Sequence, residues 1–362
     1  MIVRSLRSIL ILIAVSIPAC AATYGVGGCN PNVVNFATIQ SAVISVPAGA
    51  TIVICPGTYF EQVSISQPLT LKAATYNNSN RVIVAVPAGV SVAPNVNSID
   101  GTSFYAQVLV QNVNPPGPVN ITGITVDGTG ASEDCSLPNA VAGIFYAPGT
   151  TGTVNEVTAR NQQSCSLSAG IWAENSAGAT QTVIIQNSSV RNVDDADIVV
   201  VSDQNPSTLA ATVRANFVSM QGNFAAGVWD QGAGATISGN FATGGYDGIL
   251  ASFFPPNGQC CAGTVSANTV ADVSNGIAIF SGIAQNNKVA NTRIAFDMFL
   301  SSSMVSNTTM NSQYGVAFNC SPGVSVSKNF FNDSQYGFYK APTRITGNKN
   351  FNIDTLQTGT CP

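Results

Sequence analysis

A short motif recurs along this chain and constrains its fold more than any other feature. Each copy has an asparagine, a run of small or β-branched residues, and then a glycine followed by an aliphatic or aromatic residue. The asparagines stand at Asn187, Asn216, Asn240, Asn268, Asn287, Asn307 and Asn329, and we expect them to form a ladder inside a turn, with side-chain amides hydrogen-bonded up and down the stack. The glycines stand at Gly143, Gly170, Gly227, Gly248, Gly276, Gly315 and Gly337. Spacings of about 19 to 30 residues are typical of stacked repeats that bury their apolar faces against one another, so the motif predicts a solenoid of β-strands.

The composition favours an all-β chain. Charged residues make up 8% of the 362 residues, against roughly 25% in an average soluble domain. Long surface helices need charged, strong helix-forming residues, whereas short strands joined by polar turns do not. One short amphipathic helix is expected between Phe36 and Val46, because four apolar residues recur there at helical spacing before Pro47.

The first 21 residues have the pattern of a secretory signal peptide. Arg4 and Arg7 precede an apolar run that is too short to span a bilayer, and a small-residue cleavage site follows at 19–21. The alternative is a lipoprotein signal in which Cys20 is lipidated. Both interpretations predict a secreted or cell-surface protein whose single β-helix domain occupies 22–362, without a transmembrane segment.

Charge and residue usage exclude several classes of function. Without the signal, 11 basic and 17 acidic residues remain, a net charge of −6. Nucleic acids and anionic membrane surfaces need a basic footprint on their partner, so neither is expected to bind. The chain has no histidine, which excludes Ser-His-Asp and Cys-His catalytic machinery and histidine-based metal sites.

Eight cysteines remain after the signal is removed, which predicts a disulfide framework in an oxidising compartment. Strands of a solenoid stack about 4.8 Å apart, close to the Cα separation that a disulfide bridges, about 4.4–6.8 Å. We therefore predict Cys29–Cys55, Cys135–Cys165, Cys320–Cys361 and a strained bond between the neighbours Cys260 and Cys261. For the last two cysteines, two separate bonds to other loops are the alternative.

Three segments near the N-terminus have a recognisable pattern. They are Phe36-Ala-Thr-Ile-Gln-Ser-Ala-Val43, the strand Ile52–Cys55, and Pro56-Gly-Thr-Tyr-Phe-Glu61. Together they resemble the N-terminal cap of the pectin lyase-like superfamily, and the repeats downstream look like its β-helix repeats. The resemblance implies a single-stranded right-handed parallel β-helix with a short N-terminal capping helix. The cap and first rungs would occupy 33–73, and the clear repeats 119–350.

This superfamily contains lyases, hydrolases, esterases, epimerases and non-catalytic binders, so the resemblance does not choose among them. Without histidine, the Gly-His-Gly motif of polygalacturonase-like hydrolases cannot exist here. Gly57–Glu61 matches the Gly-x-Tyr-x-Glu segment of pectin methylesterases, but their Gln-Asp-Thr and Asp-Phe-Ile-Phe-Gly motifs are missing. The superfamily motifs therefore favour none of these hydrolytic activities.

Aligning the repeats on their glycine gives a column of residues two positions later. The aliphatic residue directly after the glycine is the natural core position, so the column is expected to point outward. The column consists of Phe145, Trp172, Val199, Trp229, Leu250, Ala278, Asp297, Ala317 and Tyr339. The two tryptophans in it would lie two strands or roughly 9–10 Å apart. Exposed rings at that spacing suit stacking on successive rings of a polysaccharide. The alternative is that loops or an interface cover them.

Carboxylates cluster between the repeats that carry the two tryptophans. Asp194, Asp195 and Asp197 could together hold a Ca²⁺ ion. The alternative is a turn that is rich in aspartate for conformational reasons.

Two arginines, Arg160 and Arg191, are expected in the same slot one rung apart, where a uronate carboxylate of a substrate could lie between them. In pectate-lyase-like enzymes an arginine or lysine abstracts a proton while calcium acidifies it. By analogy with those enzymes, Arg191 is the candidate base and Asp195 and Asp197 are the candidate calcium ligands, with Asp195 also a candidate catalytic residue. A structural arginine–aspartate pair is the alternative.

The sequence thus predicts an exported β-helix that interacts with polysaccharide. One form of this hypothesis is a calcium-assisted lyase acting on a uronate-containing glycan. The other is a non-catalytic binder of glycan or protein at the cell surface. Neither the glycan nor the oligomeric state follows from the sequence.

Overall fold

The computed structural model describes residues 22–74, 81–87, 94–130, 140–164, 166–176, 178, 180–203, 207–222, 225–253, 261–321, 323–341, 345, 347–359 and 361. Over these residues the chain winds as a parallel β-helix, in which each turn gives one strand to each of three sheets. The predicted fold class is therefore confirmed. The predicted signal at 1–21 and Cys20 lie outside the described residues.

Sheet 1 consists of Thr23–Val26, Asn35–Phe36, Ala50–Ile54, Leu69–Ala73, Pro118–Thr122, Thr151–Asn155, Gln181–Gln186, Leu209–Arg214, Thr236–Ser238, Gly263–Ser266, Gly282–Gln285, Ser302–Val305 and Ser325–Ser327. Sheet 2 consists of Gly57–Phe60, Val82–Ala85, Thr125–Asp127, Thr158–Arg160, Ser189–Arg191, Phe217–Ser219, Phe241–Thr243, Thr269–Ala271 and Lys349–Phe351. Sheet 3 consists of Val63–Ile65, Val96–Asn97, Ser103–Val110, Ala140–Tyr146, Ser168–Asn175, Ala196–Ser202, Ala226–Gln231, Asp247–Phe253, Asn275–Ile279 and Thr355–Thr358. The long strands Lys288–Met298, Thr308–Ala317 and Phe330–Tyr339 run through sheets 2 and 3 without a break.

The core runs along the axis of the coil and contains the residues that follow each repeat glycine. Ile144, Ile171, Val228, Ile249, Ile277 and Val316 are all fully buried in it. Successive members lie opposite one another on neighbouring strands, as Ile144 does with Ile171. The prediction that this position faces the core is confirmed.

A ladder of asparagines joins the turns between sheets 1 and 2. Each Oδ1 accepts hydrogen bonds from the backbone N–H and the Nδ2 of the preceding asparagine, at 2.8–3.0 Å. The members are Asn216, Asn240, Asn268, Asn287, Asn307, Asn329 and Asn348. The predicted asparagine ladder is thus present, but Asn187 is not part of it. Its side chain is exposed, and Ser188 takes the first ladder position, with its N–H donating to Asn216.

The predicted capping helix is present at Ile39–Ser45. Thr38 caps its N-terminus by accepting a hydrogen bond from the Ser41 N–H, as part of a capping box. The Glu61 carboxylate also accepts hydrogen bonds from the N–H groups of Ile39 and Gln40, both at 2.8 Å. Glu61 of the Gly-x-Tyr-x-Glu segment therefore holds the cap in place, a structural role that needs no catalytic activity.

Two of the predicted disulfides are confirmed. Cys29–Cys55 joins Cα atoms 5.6 Å apart, and Cys320–Cys361 joins Cα atoms 5.4 Å apart. Cys135, Cys165 and Cys260 lie outside the described residues.

The predicted bond between Cys260 and Cys261 is wrong, because Cys261 is a free thiol. The physical reason is the short distance between the Cα atoms of adjacent residues, about 3.8 Å, which lies below the usual range for a disulfide.

No helix in the described part of the chain is long and apolar enough to cross a membrane.

Candidate functional site

The predicted column on sheet 3 is formed in register. On neighbouring strands its members lie opposite one another in the order Phe145, Trp172, Val199, Trp229, Leu250, Ala278, Asp297, Ala317 and Tyr339. The residues beside them along each strand belong to the core, so the column lies on the outer face of the sheet. The predicted register and direction are both correct.

The N-terminal half of this column is nevertheless covered. Phe145 is fully buried and Trp172 is 4% exposed. Together with Phe104 they form a second apolar cluster outside the coil, against which Val96 and Ile99 pack. The prediction that Phe145 and Trp172 are exposed for sugar stacking is therefore wrong, because the loop before strand Ser103–Val110 folds over them. Trp229 lies half-buried at the edge of the cluster.

The carboxylates of Asp194 and Asp195 bind the backbone of a neighbouring loop. The Ser164 N–H donates to Asp194 Oδ2 at 3.2 Å, and the Ser168 N–H donates to Asp195 Oδ2 at 2.8 Å. The Ser168 hydroxyl donates to the same oxygen of Asp195 at 3.0 Å. These contacts correspond to the structural alternative, in which aspartates order a turn. Burial raises the pKa of Asp195, and the Ser168 hydrogen bonds oppose that shift.

Asp197 and Asp230 are both completely buried. Burial raises the pKa of Asp197 well above its usual value, and the Ser219 backbone amide opposes the shift. Asp230 accepts hydrogen bonds from the N–H groups of Ala233 and Ala235, both at 2.9 Å, while burial raises its pKa to about 6. Within the described residues, no group of three His, Cys, Asp or Glu side chains could hold a metal ion. The predicted calcium site at Asp194, Asp195 and Asp197 is therefore not assembled, because two of the carboxylates bind a loop and the third is buried.

The two arginines lie opposite each other on sheet 2, as the sequence predicted. Arg160 forms an ion pair with Asp127, with Nε and Oδ2 2.7 Å apart. This is the structural arginine–aspartate pair of the alternative interpretation. Arg191 is exposed one strand further along, and no ion pair links it to Asp195. Substrate binding by Arg160 and lyase chemistry at Arg191 and Asp195 stay predictions.

Beyond the covered cluster, the outer face of sheet 3 is polar and aromatic. We call this region the open face; it consists of Asp247, Asn275, Asp297, Tyr314, Asn319, Tyr336 and Tyr339. Two carboxylate–amide pairs lie on it, because the Asn275 Nδ2 donates to Asp247 Oδ1 at 3.0 Å and the Asn319 Nδ2 donates to Asp297 Oδ1 at 2.7 Å. Each pair joins neighbouring turns of the coil.

Three tyrosines lie at the C-terminal end of the open face, all partly exposed. The ring of Tyr314 stacks on Tyr336 with centroids 5.1 Å apart, and it contacts Tyr339 at 4.9 Å. The register explains the contact, because Tyr314 lies directly opposite Tyr336 on the next strand. The rings form one aromatic surface beside the carboxylates.

Both carboxylates of the open face have raised pKa values, and Asp247 contributes to the shift of Asp297. Burial raises the pKa of Asp297 to about 6, and repulsion from Asp247 adds to the shift. The Asn319 hydrogen bond and Arg293 lower it. Burial likewise raises the pKa of Asp247, against the hydrogen bond from Asn275. Both carboxyl groups can hydrogen-bond to hydroxyl groups, and Asp297, with its pKa raised to about 6, can exchange a proton near neutral pH.

Sequence reasoning missed most of this face. Asp297 and Tyr339 stand in the aligned column, and Asp247 stands three positions before the column residue Leu250, directly before Gly248. The alignment could have selected them, since they are the polar members of columns that are otherwise mainly apolar. The sequence prediction placed the binding site at the tryptophans, in the N-terminal half of the outer face. It did so because a sequence does not show which part of a face is covered.

Comparison with solved structures supports the fold. Two structures of the tailspike protein of E. coli bacteriophage HK620 in complex with a pentasaccharide match with TM-scores of 0.57 and 0.56, one of them a mutant. Each is 12% identical in sequence, and the match covers 92% of this chain and 66% of the tailspike chain. This chain therefore spans slightly less than two thirds of the length of those proteins.

A family 28 exopolygalacturonase of Yersinia enterocolitica matches with a TM-score of 0.48 and 13% identity, over 92% of this chain and 78% of the enzyme. That TM-score is too low to support an argument. No protein-family model and no curated protein sequence matches this chain. At these identities the tailspike likeness shows the parallel β-helix fold, which agrees with the resemblance to the pectin lyase-like superfamily at the level of fold.

Proposed function

We propose that this protein binds a polysaccharide along the open face of sheet 3. The observation that carries the proposal is the register, which places two carboxylate–amide pairs and three partly exposed tyrosine rings on one outer face. Carboxylates and amides hydrogen-bond to sugar hydroxyls, and aromatic rings stack on the apolar faces of sugar rings. Successive strands repeat these groups about every 4.8 Å, which suits a polymer better than a small ligand.

Two further observations support an extracellular glycan as the partner. The disulfides Cys29–Cys55 and Cys320–Cys361 fit an oxidising compartment. The HK620 tailspike, which has the same kind of fold, was solved in complex with a pentasaccharide. Together with the signal-like start of the sequence, these features favour a secreted or cell-surface protein.

Replacing Tyr339 or Tyr314 with alanine is expected to weaken glycan binding roughly tenfold each. The loss of one stacked ring corresponds to about 1.4 kcal/mol of binding free energy. The measurement is affinity on a glycan panel with the mature chain. Phe217→Ala is the matched control, because Phe217 is an exposed ring on the outer face of sheet 2, 43% accessible, and should leave affinity unchanged. If both tyrosine variants bound the glycan as tightly as the wild type while Phe217→Ala lost affinity, the binding site would lie on sheet 2 instead.

Hydrolysis of the bound glycan is a second candidate function, favoured by the mutual repulsion of Asp247 and Asp297. A carboxyl whose pKa is raised to about 6, as that of Asp297 is, can still donate a proton to a leaving group near neutral pH. If Asp297 is that donor, the release of reducing ends should fall as pH rises through about 6. Asp297→Asn should then abolish release while retaining binding. Products that absorb ultraviolet light would instead identify the lyase predicted from the sequence.

A further inference from the structure

A hairpin crosses the outer face of sheet 3 at its N-terminal half. Residues 94–102, here called the strap, run antiparallel to the start of the next strand, with Val96 opposite Phe104. A tight turn closes the hairpin, because the Ser98 N–H donates to the Thr102 carbonyl at 2.8 Å. Gly101 has φ +90°, a conformation that glycine adopts most easily. The strap is the only antiparallel element among the described strands.

One buried carboxylate holds the tip of the strap. The Ser98 hydroxyl donates to Glu174 Oε2 at 2.8 Å, and the Ile99 N–H donates to Glu174 Oε1 at 3.1 Å. The Trp172 Nε1 donates to the same carboxylate at 2.8 Å. Glu174 belongs to strand Ser168–Asn175, two strands away from the strand that the strap pairs with. Its side chain is fully buried, so the carboxylate links the strap to the ring beneath it.

The strap covers rings that would otherwise be exposed. Phe104 contacts Trp172 at 4.8 Å between centroids and Phe145 at 5.2 Å, while Phe145 and Trp172 stack in parallel at 6.1 Å. On the outer side of this cluster lie the strap residues Val96 and Ile99. Among the described residues, Val96 and Ile99 of the strap pack over these rings, and Leu167 also packs against the cluster.

The covered rings and the open face belong to one continuous surface. The column passes from Phe145 and Trp172 through Val199, Trp229 and Leu250 to Asp297, each member opposite the next, and the register shifts only after Trp229, between Trp229 and Gln231. If the strap moved away, an aromatic track would extend the open face by several strands. The strap therefore limits the length of the surface that a polymer can contact.

We infer that the strap is a movable cover, latched by Glu174, that controls how much of the glycan-binding face is accessible. The inference rests on the proposed function, because it assigns regulation to the same face. With the strap closed, a polysaccharide reaches only the open face. With the strap released, Trp172 and Phe145 join it and lengthen the bound segment.

The chemistry of the latch sets the direction of a pH response. Burial raises the pKa of Glu174 to about 7, the three hydrogen bonds lower it, and the charge of Asp100 on the strap raises it further. In the released state Glu174 is in water and has its ordinary pKa near 4.5. Closure of the strap is therefore most favourable below about pH 4.5 and becomes less favourable as pH rises through about 7. Over this interval the equilibrium constant for closure falls on the order of a hundredfold.

The experiment measures the accessibility of Trp172 by acrylamide quenching of its fluorescence between pH 4.5 and 8. The background is Trp229→Phe, because the chain has two tryptophans. We expect the quenching constant to rise with pH when Glu174 is present. In Glu174→Gln, which has no charge to titrate and can accept hydrogen bonds only through its amide oxygen, the constant should not change with pH. A quenching constant that does not change with pH, or the same pH response in Glu174→Gln, would overturn the inference.

A second readout separates the strap from the proposed function. Glycan affinity is compared between the wild type and Glu174→Gln at pH 5 and pH 8, since both contain Asp247 and Asp297 and the titration of these two groups cancels in the ratio. The inference expects the wild type to gain affinity over Glu174→Gln at pH 8, and Trp172→Ala to remove that gain. If the ratio of the two affinities were the same at pH 5 and pH 8 while the quenching constant changed, the proposed role of the strap in glycan access would be wrong. Absence of glycan binding at both pH values would overturn the proposed function, while the quenching data would still decide whether the strap moves.

Discussion

Asn268→Ala is expected to lower the free energy of unfolding by about 4 kcal/mol. The Asn268 side chain makes four hydrogen bonds and is 1% exposed. Its Oδ1 accepts from the N–H and Nδ2 of Asn240, and its Nδ2 donates to the Ile237 carbonyl and to Asn287 Oδ1, all at 2.9–3.0 Å. Each hydrogen bond contributes about 1 kcal/mol, and several partners would stay buried without a replacement. Chemical denaturation monitored by circular dichroism measures the change.

The matched control for this prediction is Asn187→Gly. Asn187 is exposed and lies outside the ladder, and its φ of +51° is one that glycine adopts without strain. Its replacement should change stability by less than about 1 kcal/mol. Asn268→Ser should fall between the two, because Ser188 already occupies a ladder position and uses its hydroxyl to bond the Gln186 carbonyl at 2.8 Å. A loss in Asn268→Ala no larger than that in Asn187→Gly would show that the ladder does not stabilise the coil.

Asp197→Ala is expected to stabilise the protein by about 2 kcal/mol at pH 7. Asp197 occupies the slot that holds Gly170 and Gly227 on the flanking turns, and its side chain is fully buried. Neither carboxyl oxygen has a hydrogen-bond partner, although the Ser219 backbone amide is near enough to oppose the rise in pKa. A buried polar group without partners costs about 1–3 kcal/mol, and its ionised form costs more. Alanine keeps the Cβ that the slot already accommodates and removes the carboxyl group.

The pH dependence provides the check on this mechanism. Because burial raises the pKa of Asp197 in the folded protein, the wild type is most stable below the unfolded pKa near 3.8 and loses stability as pH rises through the raised value. The advantage of Asp197→Ala should therefore grow from pH 4 to pH 7. Asp197→Asn serves as the control, because it removes the charge but keeps a buried polar group. It should therefore show only the pH-dependent part of the gain in unfolding free energy that Asp197→Ala shows. An alanine variant less stable than the wild type at pH 7 would mean that the carboxyl group has a stabilising partner.

The local pattern of the sequence repeat was enough to predict most of the fold. The spacing of the repeat fixed which residue enters the core, and the column from Phe145 to Tyr339 formed in the predicted order. The asparagine ladder followed from the same spacing, with an error of one residue at Asn187. Such features can be predicted because neighbouring turns repeat the same local contacts, so a period in the sequence is also a period in space.

The functional assignments depended on contacts that do not repeat. Trp172 and Tyr339 occupy the same column, yet the strap buries one and leaves the other accessible. Nothing in the local sequence of either residue encodes that difference. The strap reaches Glu174 from 76 residues earlier in the chain through Ser98. A contact over that distance depends on how the loop folds back, which only the tertiary structure decides.

The sequence by itself determined the parallel β-helix, its core and the order of residues along each face, because a regular repeat can bury its apolar side only by stacking. The tertiary structure decided which half of the outer face is covered, that Asp197 is buried among glycine slots, and that Asp194 and Asp195 bind a loop. It also placed Asp247 close enough to Asp297 to raise the pKa of that carboxyl. Burial and electrostatic interaction depend on every group that surrounds a side chain, and the repeat specifies only the neighbours above and below it.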